Sequence, residues 1–251
     1  MASLAIIILT YNEEQRLAKC IELAKQCSSE IIIIDSGSSD RTVEIAESLG
    51  AKICVRPLAG DFAAQRNFAL TKTQAEYVFY LDADEYLTPE LAENIKRELA
   101  KNKRQVYSLK RQNIAFGKKV YYGVLIPDYV PRIFPRTDVV WQGKVHEKPV
   151  YELPTQKLAG YLWHETYSSW SQYWRKFDNY TTIWAEQAYE AGKRTSTVAA
   201  FNHAFGAFFK VFVLKRGFMD GFIGIVLCCF HFAYTLAKYT KLYSRQQERV
   251  G

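Results

Sequence analysis

YVFYLDADEYL, residues 77–87, runs from an apolar stretch straight into a knot of acids. Residues 77–81 are apolar without alternation, the pattern of a strand covered on both faces, and Asp82-Ala83-Asp84-Glu85 stands at its carboxyl end. The same junction occurs twice earlier. Residues 4–9 run into Thr10-Tyr11-Asn12-Glu13-Glu14, and residues 31–34 into Asp35-Ser36-Gly37-Ser38-Ser39-Asp40. Helices fit the intervals. Leu17, Cys20, Ile21 and Ala24 form one stripe within 13–27. Asp40 or Ser39 can cap a second helix that carries Val43, Ala46 and Leu49 and stops at Gly50. Thr88-Pro89-Glu90 opens a third, with Leu91, Ile95 and Leu99 on its buried side. This alternation predicts an α/β fold with a mostly parallel, doubly wound central sheet, whose ligands bind beyond the carboxyl ends of the strands. Asn12, Asp35, Asp40, Asp82 and Asp84 all fall at such ends.

Beyond about residue 104 the rhythm changes. The segments 105–114, 130–135 and 139–150 are short, aromatic and broken by prolines, as in a mixed-sheet extension. Residues 168–192 return to a helical pattern rich in Trp and Tyr. From Phe201 onward aromatic and aliphatic residues dominate, interrupted by Lys210, Lys215, Arg216, Lys238 and Lys241. The apolar run 221–237 is shorter than the roughly 20 residues of a typical span, which favours one or two interfacial helices over a membrane crossing. A hairpin packed on the rest of the chain, or used as an oligomer contact, is the alternative.

Composition narrows the class. An apolar fraction of 49% supports a folded core, and the net charge of +7 implies an anionic partner: nucleic acid, a phosphate-rich substrate or an acidic lipid surface. Five cysteines without a Cys-x-x-Cys spacing argue against a zinc cluster or disulfide framework, and for a reducing setting. The opening residues lack a basic leader and a cleavage site, and read as a core strand. His146-Glu147 and His164-Glu165 do not extend to the zinc-protease pattern, because positions 150 and 168 are Val and Ser. Asp82 and Asp84, two carboxylates at the nucleotide crevice, suit Mg2+ or Mn2+, which also binds substrate phosphates.

TYNEE, IIIIDSGSSDRT and YLDADEYL, in this order over the first ninety residues, resemble the three signatures of family 2 glycosyltransferases. The resemblance implies a GT-A-type fold and an inverting sugar transfer from a nucleotide diphosphate. It places Thr10, Tyr11, Asn12 and Glu13 against the nucleotide and Asp35 on the base. Asp82 falls near the ribose or phosphates with a share in the metal site, and Asp84 on the metal. Residues 60–67 resemble the family's nucleotide-side helix, so Arg66 braces the phosphates or Asp82, an ordinary salt bridge being the alternative. Domains follow as 1–195 catalytic, with a nucleotide half 1–104 and an acceptor half 105–195, and 196–251 as a helical extension that binds membrane or an oligomer partner.

An inverting transfer needs a base to take the acceptor's proton. The family usually supplies an Asp from a Glu-Asp pair. Here His146-Glu147 occupies the similar place, so Glu147 is the expected base, with His146 as its substitute or orienter and Asp128 and Asp138 as the next carboxylates to test. His164 can approach the metal or diphosphate, or be an ordinary histidine. The tail and the Val145-His146-Glu147 segment resemble the subgroup that glucosylates inner-core heptose of bacterial lipopolysaccharide. That resemblance implies UDP-glucose as donor, a lipopolysaccharide core acceptor, no nucleic acid partner, and a peripheral place on the cytoplasmic face of the inner membrane. A polyprenyl-phosphate sugar transferase and a non-catalytic membrane-surface or nucleic-acid-binding module are the rival readings. A nucleotidyltransferase would show a glycine-rich, Arg-bearing loop after the first strand, and TYNEE is not one.

Overall fold

The computed structural model describes residues 2–143 and 147–247. The chain forms two compact units, one of residues 1–111 with 128–164 and the other of 112–127 with 165–251. Against a sequence boundary at 195/196, the second unit begins earlier and takes a loop from the middle of the chain.

The first unit is built on β1 (Leu4–Thr10), α1 (Leu17–Ala24), β2 (Glu30–Asp35), α2 (Thr42–Ser48), β3 (Lys52–Val55), α3 (Phe62–Leu70), β4 (Tyr77–Asp82), β5 (Glu85–Leu87) and α4 (Pro89–Leu99). Its later strands are β6 (Val106–Ala115), with β7 (Lys118–Val120) beyond it in the second unit, β8 (Asp128–Pro135), β9 (Val140–Gln142), β10 (Lys148–Val150) and β11 (Thr155–Tyr167). Among the described residues the sheet order is β3-β2-β1-β4-β8-β6-β11-β5. β1 pairs in parallel with β2 and β4, and β2 with β3, whereas β8 runs antiparallel to β4 and β6. The parallel half and the mixed extension both match the sequence expectation. Segment 139–150 differs: β9 and β10 form a separate antiparallel pair.

Continuous apolarity in β1 has the expected cause. Ile6 and Ile8 face one core layer with Leu17, Ile21 and Ile95, while Ile7 faces another with Ala63, Tyr80, Phe134 and Trp141. Register then sets the site, because Thr10 lies beside Asp35 and Leu9 beside Asp82, so three loops leave the sheet side by side. The Thr88 start holds, its Oγ1 accepting the Leu91 N–H at 3.2 Å; in α2 the cap position falls on Arg41 without a side-chain cap, and Asp40 Oδ1, one residue earlier, accepts the Thr42 N–H at 3.0 Å.

In the second unit, α5 (Trp170–Glu190) lies along α7 (Gly221–Gln247), with α6 (Thr197–Phe209) also against α7. Ser169 and Ser196 cap α5 and α6. The central loop belongs here for a reason of contact: Asp220 accepts the N–H groups of Tyr121 and Tyr122, and a Cβ on Gly123 would stand 2.9 Å from the Gly217 Cα. Two helical stretches, Thr197–Leu214 and Gly217–Gln247, are long and apolar enough to cross a membrane by length and composition.

Gly160 lets β11 approach α4. Its φ is +95°, and a Cβ there would meet the Leu91 backbone nitrogen at 2.7 Å. Gly160→Ala should therefore destabilise by about 2–4 kcal/mol, strain and overlap together. Gly50→Ala, at φ +69° with no atom within 4 Å of the new Cβ, should cost only about 1–2 kcal/mol. Denaturant midpoints of the two variants check the difference.

Candidate active site

The first two loops are laced together. Thr10 Oγ1 donates to Asp35 Oδ1 at 2.9 Å, the Asn12 N–H to Ser38 Oγ at 2.9 Å, and the Glu13 N–H to Thr42 Oγ1 at 2.7 Å; Asn12 Oδ1 in turn accepts the Ser39 N–H at 2.9 Å. Asn12 holds a left-handed φ of 56°, which Asn tolerates better than most residues. Asp35 is fully buried, and its two oxygens also accept the N–H groups of Gly37 and Ser38 and the Ser38 hydroxyl, so the carboxylate shapes the loop on which the base is expected to lie. Tyr11 is 61% exposed.

The acids after β4 are not equivalent. Asp82 accepts from Arg132 Nη2 at 2.6 Å through one oxygen and from Arg66 Nη2 at 3.3 Å through the other. Desolvation favours its neutral form, but the Arg132 and Arg66 guanidiniums outweigh it and hold its carboxyl well below the usual carboxylate range. Glu85 is fully buried and also accepts from Arg132 Nη2, and burial pushes its carboxyl up against the pull of that guanidinium. Burial lowers Arg132, but Asp82 and Glu85 more than reverse this and keep it charged.

Asp84 lies in a different environment. Its Oδ2 stands 3.5 Å from His164 Nε2 and 3.8 Å from Arg16 Nη1. β11 runs antiparallel to β5 with His164 opposite Glu85, and that register brings the imidazole to the acidic turn. His164 thus stands beside Asp84, the carboxylate expected to hold the metal.

Arg66 links the two sides of the cleft. Capped by Asp61, which accepts the Ala64 N–H at 2.8 Å, α3 carries Arg66 over the rings of Trp141 and Tyr80, at 4.6 and 5.5 Å from their centroids. Its Nε donates to Glu147 Oε1 at 3.2 Å, so one guanidinium holds both Asp82 and the expected base. Arg66 Nη1 and Arg132 Nε are buried without a hydrogen-bond partner among the described residues. These groups line an open cleft with Arg111, Trp141 and Tyr151. His146 lies outside the described residues. Asp128 pairs at 3.0 Å with Arg111, which lines this cleft, and Asp138 pairs with Arg104 at 2.8 Å.

Arg132, Glu85 and Asn67 join the site only in the folded chain. A lone Arg beside Ile133 and Phe134 in an apolar strand is the sequence signal for the first. Asn67 left none: it accepts the Trp141 N–H at 2.9 Å and donates to the Trp141 carbonyl at 2.8 Å, clamping β9 to α3.

Cations and carboxylates converging on the carboxyl edge of a parallel sheet are the equipment of an α/β enzyme that handles a charged ligand. Residues 5–150 match the family model Glycosyl transferase family 2, and the chain belongs to that family, a sugar-transferring enzyme with the GT-A-type fold. Similar proteins include an uncharacterized glycosyltransferase of Rickettsia typhi, 27% identical over 96% of this chain and 88% of its own length. Another, from Rickettsia prowazekii, is 26% identical over 100% and 91%. Among solved structures, Staphylococcus aureus TarS covers 86% of this chain at 14% identity and a TM-score of 0.48. Glucosyl-3-phosphoglycerate synthase of Mycobacterium tuberculosis, crystallised with Mn2+, UDP and glucosyl-3-phosphoglycerate, covers 46% at 19% identity and a TM-score of 0.36. The matches take in 45% of each of those two chains.

Removing Arg132 would strand a buried carboxylate. Arg132→Met should cost about 3–5 kcal/mol. The double variant Arg132→Met, Glu85→Gln should recover part of that loss in a double-mutant cycle of urea unfolding.

Proposed function

We propose that this chain is a metal-dependent, inverting hexosyltransferase that moves a sugar, glucose from UDP-glucose by our reading, onto a saccharide hydroxyl of the lipopolysaccharide core. The observation that carries the transfer is the shared guanidinium: Arg66 bridges Asp82 on the donor side and Glu147 on the side where a base is needed. The orphaned N–H groups of Arg66 and Arg132 suit an anionic group such as a diphosphate. The UDP-glucose assignment rests on the resemblance of the tail and the Val145-His146-Glu147 segment to the subgroup that glucosylates inner-core heptose.

Asp84 and His164 fit a divalent cation, since they bring a carboxylate and an imidazole within 3.5 Å of each other. Among the described residues no three His, Cys, Asp or Glu side chains form a cage, which suits a cation completed by substrate phosphates. When bound, the cation would neutralise the diphosphate as it becomes the leaving group. Asp82, with both oxygens accepting from guanidiniums, is the poorer ligand of the pair.

Glu147 takes the proton of the attacking hydroxyl, and Arg66 keeps the carboxylate oriented for it. This step also bears on the acceptor. A saccharide hydroxyl carries a proton that must leave, whereas a lipid phosphate is already anionic and needs no base. A carboxylate held in the cleft therefore supports a saccharide acceptor over a polyprenyl phosphate. A core acceptor of this kind is built at the cytoplasmic face of the inner membrane, where a basic protein would work peripherally.

A panel of nucleotide sugars, with and without Mn2+, read by hydrolysis and thermal stabilisation, tests the assignment: UDP-glucose with Mn2+ should give the largest response. Asp84→Asn should abolish transfer, and His164→Ala should weaken the Mn2+-dependent stabilisation by UDP. Wild-type stabilisation in both variants would remove the metal site from this position.

Glu147→Gln keeps the shape of the side chain but cannot accept a proton, so kcat should fall by about 10²–10⁴-fold with UDP binding nearly unchanged. His146→Gln is the control. A larger loss there, with Glu147→Gln nearly active, would transfer the role of base to His146.

A further inference from the structure

The second unit carries a crest of outward-facing apolar side chains. Along α6, Val198, Phe201, Phe205 and Phe209 recur at helical spacing and all are exposed, and Leu214, Phe218 and Met219 continue the series between α6 and α7. Phe222, at the start of α7, is 83% exposed. Scattered exposed apolar residues are ordinary, but such a series on one hairpin implies a partner.

Charge indicates which partner. Residues 197–247 carry Lys210, Lys215, Arg216, Lys238, Lys241 and Arg245 against a single acid, Asp220. That acid is engaged by the N–H groups of Tyr121 and Tyr122. Lys241 and Arg245 pair with Asp178 and Glu186, whereas Lys210, Lys215 and Arg216, close to the crest, form no ion pair among the described residues. Lys210, Lys215 and Arg216 therefore sit where the apolar side chains are exposed, whereas Lys238 lies over the Trp184 ring on the α5 side.

The other side of the hairpin limits how deep it can go. α7 is fastened along α5 by Tyr173 with Phe230 at 5.2 Å, Phe177 with Tyr234 at 5.6 Å and Trp184 with Tyr239 at 4.9 Å. α5 carries Arg175, Lys176, Asp178, Glu186 and Glu190 in its sequence. A helix held along such a neighbour cannot enter hydrocarbon without burying those charges as well. Passing the length and hydropathy test for a span does not make α7 one.

We infer that the α6–α7 hairpin is a monotopic attachment surface for an anionic lipid bilayer. Its phenylalanine crest enters the acyl boundary, and Lys210, Lys215 and Arg216 meet the headgroups. The inference rests on the reading of a membrane-linked acceptor above. Its test uses neither donor nor acceptor, so either idea can fail alone.

The full chain is floated with vesicles of phosphatidylcholine, with and without phosphatidylglycerol. Binding should require phosphatidylglycerol, weaken with salt and be reversed by alkaline carbonate. The triple variant Phe209→Ser, Leu214→Ser, Phe222→Ser should lose at least about tenfold in partitioning. Its thermal unfolding should stay unchanged, because these side chains are exposed. Lys210→Gln with Lys215→Gln should weaken binding only to the anionic vesicles. Absence of binding at low salt would overturn the inference, as would full binding by the triple variant. Resistance to carbonate would make the hairpin a span. A dimer in place of vesicle binding, lost in the triple variant, would assign the crest to a second copy of the chain.

Discussion

Arg132 is a guanidinium buried between two carboxylates, and the acidic edge of the sheet depends on it. Asp82 and Glu85 stand three residues apart, and without a counter-charge their mutual repulsion and desolvation would drive one of them neutral. β8 supplies that counter-charge by pairing antiparallel with β4, so the Arg132 side chain reaches under the turn. Glu85 is thereby fixed in β5, and β5 sets the register of β11 that brings His164 to Asp84. One ion cluster thus couples the donor-side acid, the turn and the candidate metal ligands.

The cluster also separates the roles of similar residues. Asp82 is bound by two cations, Glu85 is fully buried, and Asp84 faces an imidazole. Glu147 is brought in from the far side by Arg66, whose own place depends on the Asn67 clamp on Trp141. Two buried guanidinium N–H groups without partners among the described residues are costly in a resting protein.

The second unit obeys a different balance. Its interior depends on close backbone approach, where a Cβ on Gly217 would lie 2.4 Å from Cys228 Sγ and one on Gly224 would lie 2.1 Å from the Gly217 carbonyl oxygen. Its exterior exposes phenylalanines that no water-facing protein surface gains from exposing. Rigid packing on one side and apolar display on the other are compatible with a surface that meets lipid.

Local pattern was enough for the parallel half of the sheet. Runs without alternation in β1, β2 and β4, each short and ending in polar residues, read as strands covered on both faces, and the Thr88-Pro89 start and the acids at the strand ends follow from short-range rules. For the same reason the family was legible in three motifs within ninety residues. Tertiary structure alone decided what each acid does, because that depends on partners far along the chain: Asp82 with Arg132, Asp84 with His164, Glu147 with Arg66. Asp35 is the clearest case. The motif gives its position at a strand end, but only the folded loop shows that its carboxylate accepts from Thr10, Gly37 and Ser38 and so holds the backbone there. The unit boundary is similar, since residues 112–127 join the C-terminal helices through Asp220 and Gly217, contacts about a hundred residues apart that no local pattern encodes.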